Sequence, residues 1–432
     1  MDIGLMEKDN QSILQIARQI SSKYNEISSL LLEPVIDSFN LLTVHPWRNN
    51  GSVFAHPLHR MMSRVGGFPP SLARYFIATY SKAGDVIFDP FCGKGTVLLE
   101  ASQLGRIAIG GDVAPDAVIV SRAKGARVKI AQVANYIKNL KDNSCRSVKA
   151  VPLNIRLFFH PDTLRQIISI RRQLIKDMQS PRKGEVATFV CGIMLGILHG
   201  HSRLSLSLPC NQAFAMSPQY VRRYVDENGL QRPRRNVKKC LLEKSLEFLP
   251  MPNMAGSIHA YETSADNCKT YLKRKYGKVN LVLTSPPYLN RQTYTKDAWL
   301  RLWFLGRNSE DVLRRSLETG SVSKFKASMK KMLTTILDAV SPNGYAIFVC
   351  GEVKAWIKGR QEIVRVSDIC LSLLHESKFY NGKFKIDSII RDKKLMKRGS
   401  YFAVHAGKQS SDNGESVARF GEERILVLKA KK

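Results

Sequence analysis

The chain has 432 residues, 44% of them hydrophobic, and 67 Lys and Arg against 36 Asp and Glu leave a net charge of +31. That length holds one large domain with an insertion, or two domains, around an ordinary core. The charge attracts polyanions, as expected of a protein that tracks phosphates, although a generally basic surface gives the same number. The longest apolar run, Ala187 to Leu198, is about a dozen residues where a bilayer needs roughly 20. The amino terminus lacks the basic-then-apolar order of a secretory signal, so a cytoplasmic protein with no membrane association is expected. Eight cysteines and nine histidines are scattered with no Cys-x-x-Cys pair and no His/Cys cluster, which argues against a disulfide framework and against a metal site.

In chain order, residues 10 to 32 have apolar positions near helical spacing, and a loop rich in His, Pro and Gly follows from about His45 to Pro70. Ser71 to Lys82 reads as a helix, Asp85 to Asp89 as a short buried strand, Thr96 to Leu104 as a helix after a glycine turn, and Arg106 to Asp112 as a second strand. Another helix begins near Pro115. This order opens a parallel, doubly wound sheet. From about Ala150 to Pro250 the pattern changes to helices (Asp162–Lys176, Glu185–His199, Pro218–Glu227, Val237–Phe248) without convincing strands. Sheet grammar then resumes with strands Ser257 to Tyr261 and Val279 to Thr284 around a helix from Ala265 to Lys275. A helix over Lys324 to Val340, a strand over Tyr345 to Gly351 and a helix over Val366 to Ser377 follow. Phe384 to Ile390 and Arg424 to Lys429 are expected to pair as a terminal hairpin across the polar stretch Arg391 to Gly421.

Two segments carry chemistry. Asp89-Pro90-Phe91-Cys92-Gly93-Lys94-Gly95-Thr96 sits at the carboxyl end of the first strand, where open α/β sheets bind ligands. Gly93 and Gly95 let the backbone turn sharply and approach a ligand closely. Lys94 does not make this a phosphate-binding P-loop, because the earlier glycine and the Ser/Thr after the lysine are both missing. Seventeen residues after Gly95, Asp112 ends the next strand, where an acid accepts both hydroxyls of a ribose or caps the helix behind it. The second segment, Ser285-Pro286-Pro287-Tyr288, follows the apolar strand ending at Thr284. Two prolines cannot continue a strand, so they force an extended turn that projects Ser285 and the Pro286 carbonyl. A hydroxyl and a carbonyl there can accept the two hydrogens of an amine and orient its lone pair, and Tyr288 offers an aromatic face for stacking.

The first segment resembles the S-adenosylmethionine motif of DNA amino-methyltransferases, commonly Asp-Pro-Phe-x-Gly-x-Gly-Thr, and the second resembles motif IV of the cytosine N(4)-specific members. The resemblance implies a Rossmann-like methyltransferase fold: an α/β, mostly parallel sheet with a C-terminal antiparallel hairpin, plus a helical insertion. It implies S-adenosylmethionine as cofactor, with Asp89, Pro90, Phe91, Gly93, Gly95 and Thr96 around its methionine end and Asp112 on its ribose. Phe68, in Gly67-Phe68-Pro69-Pro70, resembles part of the methionine-pocket wall, and Asp266 resembles the acid that contacts the adenine amine. Ser285, Pro286, Pro287 and Tyr288 are the catalytic group it implies, with double-stranded DNA and a flipped base as substrate. A paired restriction endonuclease and a place at the bacterial nucleoid belong to the same expectation. An adenine N(6) or RNA enzyme uses the same amine logic, usually with Asp or Asn at the position of Ser285. A nucleic-acid-binding protein with a degenerate methyltransferase fold also accommodates the charge. The expected division is 1–50 as an N-terminal helical segment, 51–145 as the cofactor half, 146–255 as a basic insertion for target recognition, and 256–432 as the catalytic half.

Within the insertion, Arg222, Arg223, Arg232, Arg234, Arg235, Lys238 and Lys239 fall in eighteen residues and are read as DNA contacts. Pro209-Cys210 resembles the nucleophile of carbon-5 cytosine methyltransferases, but direct transfer to an amine needs no thiol. Trp299 and Trp303, four residues apart, are read as core residues. Arg391, Lys393, Lys394, Lys397 and Arg398 form either a second phosphate-facing loop or a solvated connection.

Overall fold

The computed structural model describes residue 47 and residues 56–64, 69–200, 202–209, 218–249, 254–268, 272, 276–287, 294–317, 319, 321–357, 360–376, 382–395 and 420–431. The helix expected over 10 to 32, Phe68, Cys210, Tyr288, Lys397 and Arg398 lie outside these residues.

The opening elements are helix α1 (Pro70–Tyr80), strand β1 (Val86–Asp89), helix α2 (Thr96–Gln103), strand β2 (Ile107–Asp112) and helix α3 (Pro115–Lys124). α1 and α3 each begin with proline at the first helical position, where its missing N–H costs nothing. Helix α4 (Ile130–Lys138) follows, and the basic segment contributes α5 (Pro161–Asp177), α6 (Gly184–Ile197), α7 (Pro218–Asn228) and α8 (Val237–Leu246), with no strand between β2 and β3 among the described residues. The second half runs β3 (Ser257–Glu262), β4 (Val279–Thr284), α9 (Trp299–Leu305), α10 (Ser309–Arg315), α11 (Val322–Ala339), β5 (Val340–Ile357), β6 (Arg360–Arg365), α12 (Val366–Glu376), β7 (Phe384–Leu395) and β8 (Phe420–Ala430).

The strands form one sheet in the order β3-β2-β1-β4-β5-β8-β7. Neighbours from β3 through β5 are parallel, whereas β8 lies antiparallel between β5 and β7. This is the expected Rossmann-like methyltransferase sheet with its antiparallel carboxyl-terminal hairpin. Alternation sends consecutive strand residues to opposite faces. Ile87, Leu281, Leu283 and Ile347 pack under α1 and α2 with Phe76 and Leu98, while Phe88, Val282 and Phe348 pack under α11 and α12 with Met332 and Leu373. Because both faces are covered, these strands read as continuous apolar runs.

The helical insertion lies against α3 and continues its core, with Val120 and Ala123 clustering with Phe189, Met194 and Leu241. Close approach is enforced at Gly196, where a Cβ would fall 1.9 Å from the Met61 carbonyl oxygen. Trp299 and Trp303 pack against this same cluster, as expected.

Three expectations need correction. The helix placed over Ala265 to Lys275 begins as a 3-10 turn, Ala265–Asn267. β5 is longer at both ends, because Val340 pairs with Val279 and because Glu352–Ile357 pair with β6. Arg391, Lys393 and Lys394 are strand residues of β7, in register with Arg424, Glu422 and Gly421, rather than part of a connection.

Candidate active site

Parallel strands β1 to β4 all end on one side of the sheet, and a cavity of about 410 Å³ opens there. Of the residues named from the sequence, it brings together Pro90, Phe91, Gly93, Asp112, Asp266, Ser285, Pro286 and Pro287 in one wall. Asp89, Gly95 and Thr96 are buried and do not line it.

The loop between β1 and α2 is held from below. Gly93 and Gly95 have φ of 49° and 73°, a region that favours glycine. The Gly93 N–H donates to Asp112 Oδ2 at 2.9 Å, and the Ser121 hydroxyl donates to the Gly93 carbonyl at 3.1 Å. One turn further along α3, the Lys124 ammonium donates to the Lys94 carbonyl. Lys124 is fully buried, and burial lowers its pKa to about 7. A Cβ on Gly95 would lie 2.6 Å from Ser121 Oγ, so the glycine is needed for the loop to sit on α3.

Asp89 is buried at the end of β1. Its Oδ1 accepts the Thr284 hydroxyl at 2.6 Å and the Phe91 N–H at 3.1 Å. Thr284 is the last residue of β4 and directly precedes Ser285, so this one carboxyl ties the glycine loop to the tetrapeptide turn. Burial pushes its pKa up to about 7, against the pull of the two donors. Asp112 is raised by burial as well, with Arg64 and the Ala114 and Gly93 N–H groups pulling the other way.

Sequence reasoning did not single out several neighbours. Arg64 lines the cavity, its Nη1 2.7 Å from fully buried Asp116. Lys331 of α11 reaches Asp266 at 2.7 Å, and Thr295 closes the wall beyond the tetrapeptide. A lysine or arginine on an amphipathic helix reads as a solvated face, so Lys124 and Lys331 gave no signal. Arg64 had one: it stands three residues before the Gly67-Phe68-Pro69-Pro70 segment.

The donor set fits S-adenosylmethionine. Each Asp112 oxygen accepts one backbone N–H at 2.9 Å and keeps lone pairs for ribose hydroxyls. Asp266 offers a second acceptor in the same wall, and Gly93 presents backbone without a side chain.

The basic residues of the insertion divide into two groups. Arg222 and Arg223 are exposed on α7, and Arg223 lies over the Tyr220 ring. Arg232, Arg234, Lys238 and Lys239 are tied to the protein itself: Arg232 to the Arg156 carbonyl at 3.0 Å, Arg234 to Asp162 at 3.0 Å, Lys238 to Asp142 at 3.3 Å and Lys239 to Glu243 at 3.9 Å. Arg235 is half-buried, and its backbone exchanges hydrogen bonds with Thr163.

Comparison with known proteins finds several similar chains. The family described as DNA methylase matches residues 21–121. Over 302 residues the chain is 22% identical to the type II methyltransferase M.BsoBI of Geobacillus stearothermophilus, covering 64% of this chain and 58% of that protein. It is 29% identical over 83 residues to the type II methyltransferase M.MjaII of Methanocaldococcus jannaschii, 19% of this chain and 16% of the relative. It is 42% identical over 60 residues to the tRNA (guanine(10)-N2)-dimethyltransferase of Methanothermobacter thermautotrophicus, 14% and 18% of the two chains. The matches span less than two thirds of each relative's length. By its sheet, its glycine loop and these likenesses, the chain is similar to the DNA methylases that modify base amines.

Proposed function

We propose that this protein transfers a methyl group from S-adenosylmethionine to the exocyclic N(4) amine of cytosine in double-stranded DNA, directly and onto a flipped base. The observation that carries this reading is the shared cavity: Ser285 and Pro286, at the end of β4, face the same space as Gly93 and Asp112. Asp112 and Asp266 bind the ribose and adenine ends, and the Gly93 loop backs the methionine end. Bound there, S-adenosylmethionine supplies an electrophilic methyl on a sulfonium that departs as a neutral thioether when the amine lone pair takes the methyl.

The chain's own part is orientation. The Ser285 hydroxyl and the Pro286 carbonyl accept the two amine hydrogens, one of which leaves as a proton after transfer. This draws the lone pair out of conjugation with the ring and aims it at the methyl. Positions fixed in advance by two prolines and by the Thr284–Asp89 bond need little reorganisation during reaction. Tyr288 is assigned the stacking role. Arg222, Arg223, Arg232, Arg234, Arg235, Lys238 and Lys239 are assigned to the DNA side, with the insertion as target recognition region.

Nucleoside mass spectrometry after incubation of DNA and RNA with the protein and cofactor tests this. N(4)-methylcytosine in DNA is expected. N(6)-methyladenine overturns the choice of base, and a modified RNA nucleoside favours the second reading, an RNA amino-methyltransferase, which the short tRNA-enzyme match supports. DNA binding without any modification leaves only a degenerate binding protein.

A further inference from the structure

Resting on that reading, we propose that α7 is the element that reads DNA sequence, with Gln219, Arg222, Arg223 and Asp226 facing base edges in the major groove. These four residues stand at i, i+3, i+4 and i+7, one stripe of a helix, and all four are exposed. The other side of the helix holds it to the protein: Val221 is buried and Val225 half-buried in the insertion's apolar core.

The stripe has the chemistry of direct readout. Glutamine pairs bidentately with adenine, arginine with guanine, and aspartate accepts from the cytosine amine, each edge being distinct in the major groove. Arg223 reaches Glu227 at 3.7 Å with both side chains more than 60% exposed, a contact readily exchanged for a bidentate one. Its guanidinium also lies 5.6 Å from the centre of the Tyr220 ring, and Tyr220 stacks on Tyr224 at 5.8 Å, which orients the arginine in advance. An α-helix is about 10–12 Å across with its side chains, which the roughly 12 Å wide groove admits, and the eleven residues of α7 give it about three turns to lay there. In the downstream run, which the sequence marks more strongly, Arg232 holds the Arg156 carbonyl and Lys238 is paired with Asp142, while Arg234 and Lys239, each 76% exposed, make surface contacts of the same exchangeable kind as that of Arg223. A net charge of +31 supplies the attraction to phosphates that base reading needs but does not itself provide.

Its place in the fold suits the task. Val221 shares its core with Leu300 and Phe304 of α9, the helix that follows the tetrapeptide turn. Arg232, four residues beyond α7, holds the carbonyl of Arg156, and nearby Phe158 packs edge-on against Trp299 at 5.5 Å.

The test uses the full chain. Unmethylated genomic DNA is treated with the wild type and with Gln219→Ala, Arg222→Ala, Arg223→Ala and Asp226→Ala, and methylated positions are mapped by single-molecule sequencing. Melting temperature and S-adenosylmethionine binding serve as controls for folding. The arginine variants are expected to lose discrimination at one or two positions of the site by roughly 5- to 150-fold, so that methylation spreads to sequences the wild type rejects. Four variants that keep the wild-type site and discrimination overturn the assignment of α7 alone. A wild type that methylates only RNA, or nothing, overturns the underlying function and this inference with it.

Discussion

Ser285 stands half-buried in the cavity wall, one residue past the end of β4. Replacing it by alanine removes one of the two acceptors proposed for the target amine. Ser285→Ala is expected to lower kcat by roughly 10²- to 10³-fold, the usual effect of losing one preorganised polar partner. Equilibrium binding of S-adenosylmethionine should stay within about threefold of wild type, since the hydroxyl serves the amine and not the cofactor. Wild-type kcat in this variant would remove Ser285 from the mechanism. Lys124 gives a different signature. Its amine is buried and its pKa is lowered to about 7, below that of the unfolded chain, so between about pH 7 and 10.5 the unfolded state binds more protons. The stability term from this residue therefore improves as pH rises through that window, and below pH 7 its full cost persists. Lys124→Met should flatten the pH dependence of the melting temperature there and should not lower that temperature at pH 6. It should nevertheless raise the KM for S-adenosylmethionine, because the Lys94 carbonyl loses its anchor. Parallel loss of stability and affinity would reduce Lys124 to a packing residue.

At the scale of elements, the β1–loop–α2 unit works because α3 supports it from underneath. Gly95→Ala puts a Cβ 2.6 Å from Ser121 Oγ and 3.3 Å from Ser121 Cα at a φ of 73°, so a smaller side chain at 121 cannot relieve it. The left-handed backbone alone costs about 1–3 kcal/mol for alanine, and calorimetry is expected to show loss of cofactor binding before loss of fold. A Gly95→Ala protein that binds S-adenosylmethionine normally would separate the loop from the site. This unit was legible in the sequence, because short apolar strands, a Gly-x-Gly turn and an acid at the next strand end are local signals. So were the boundaries of α1, α5, α6 and α12, set by proline starts and helical spacing. What stayed hidden was non-local. The outer half of β5 pairs with β6 in a hairpin whose sequence, Glu352 to Arg365, is too polar to announce strands. The link between Asp89 and Thr284 joins residues 195 apart in the chain. Lys124 and Ser121 looked like ordinary helix surface until the loop was laid over them.

On the scale of the molecule, the insertion and the helices α2, α3 and α9 share one apolar cluster, and this bears on how the protein unfolds. Leu99 of α2, Val120 of α3, Phe189 and Met194 of α6 and Leu300 and Phe304 of α9 belong to a single apolar cluster, so neither part can expose its face without the other. Polar cross-links reinforce the joint. The buried guanidinium of Arg301, on α9, donates to the Ser63 carbonyl at 2.9 Å and to the Leu195 carbonyl at 3.4 Å, and Arg171 of α5 donates to the Phe304 carbonyl and lies over the Trp303 ring. Arg301 also lies within electrostatic reach of Asp116, the fully buried partner of Arg64 in the cavity wall. Arg301→Met would take a donor from the buried Leu195 carbonyl and from the Ser63 carbonyl and weaken the compensation of Asp116, a loss of about 1–3 kcal/mol on the scale of a buried polar group left unsatisfied. Urea denaturation should show a single transition in the wild type, followed alike by tryptophan fluorescence (Trp299 and Trp303 report on the insertion's core) and by far-ultraviolet circular dichroism. In Arg301→Met that transition should move to lower urea with its slope unchanged. Two separate transitions in the wild type, or an insertion that melts alone in the variant, would mean that the basic segment is a domain appended to the catalytic core and not a layer of it.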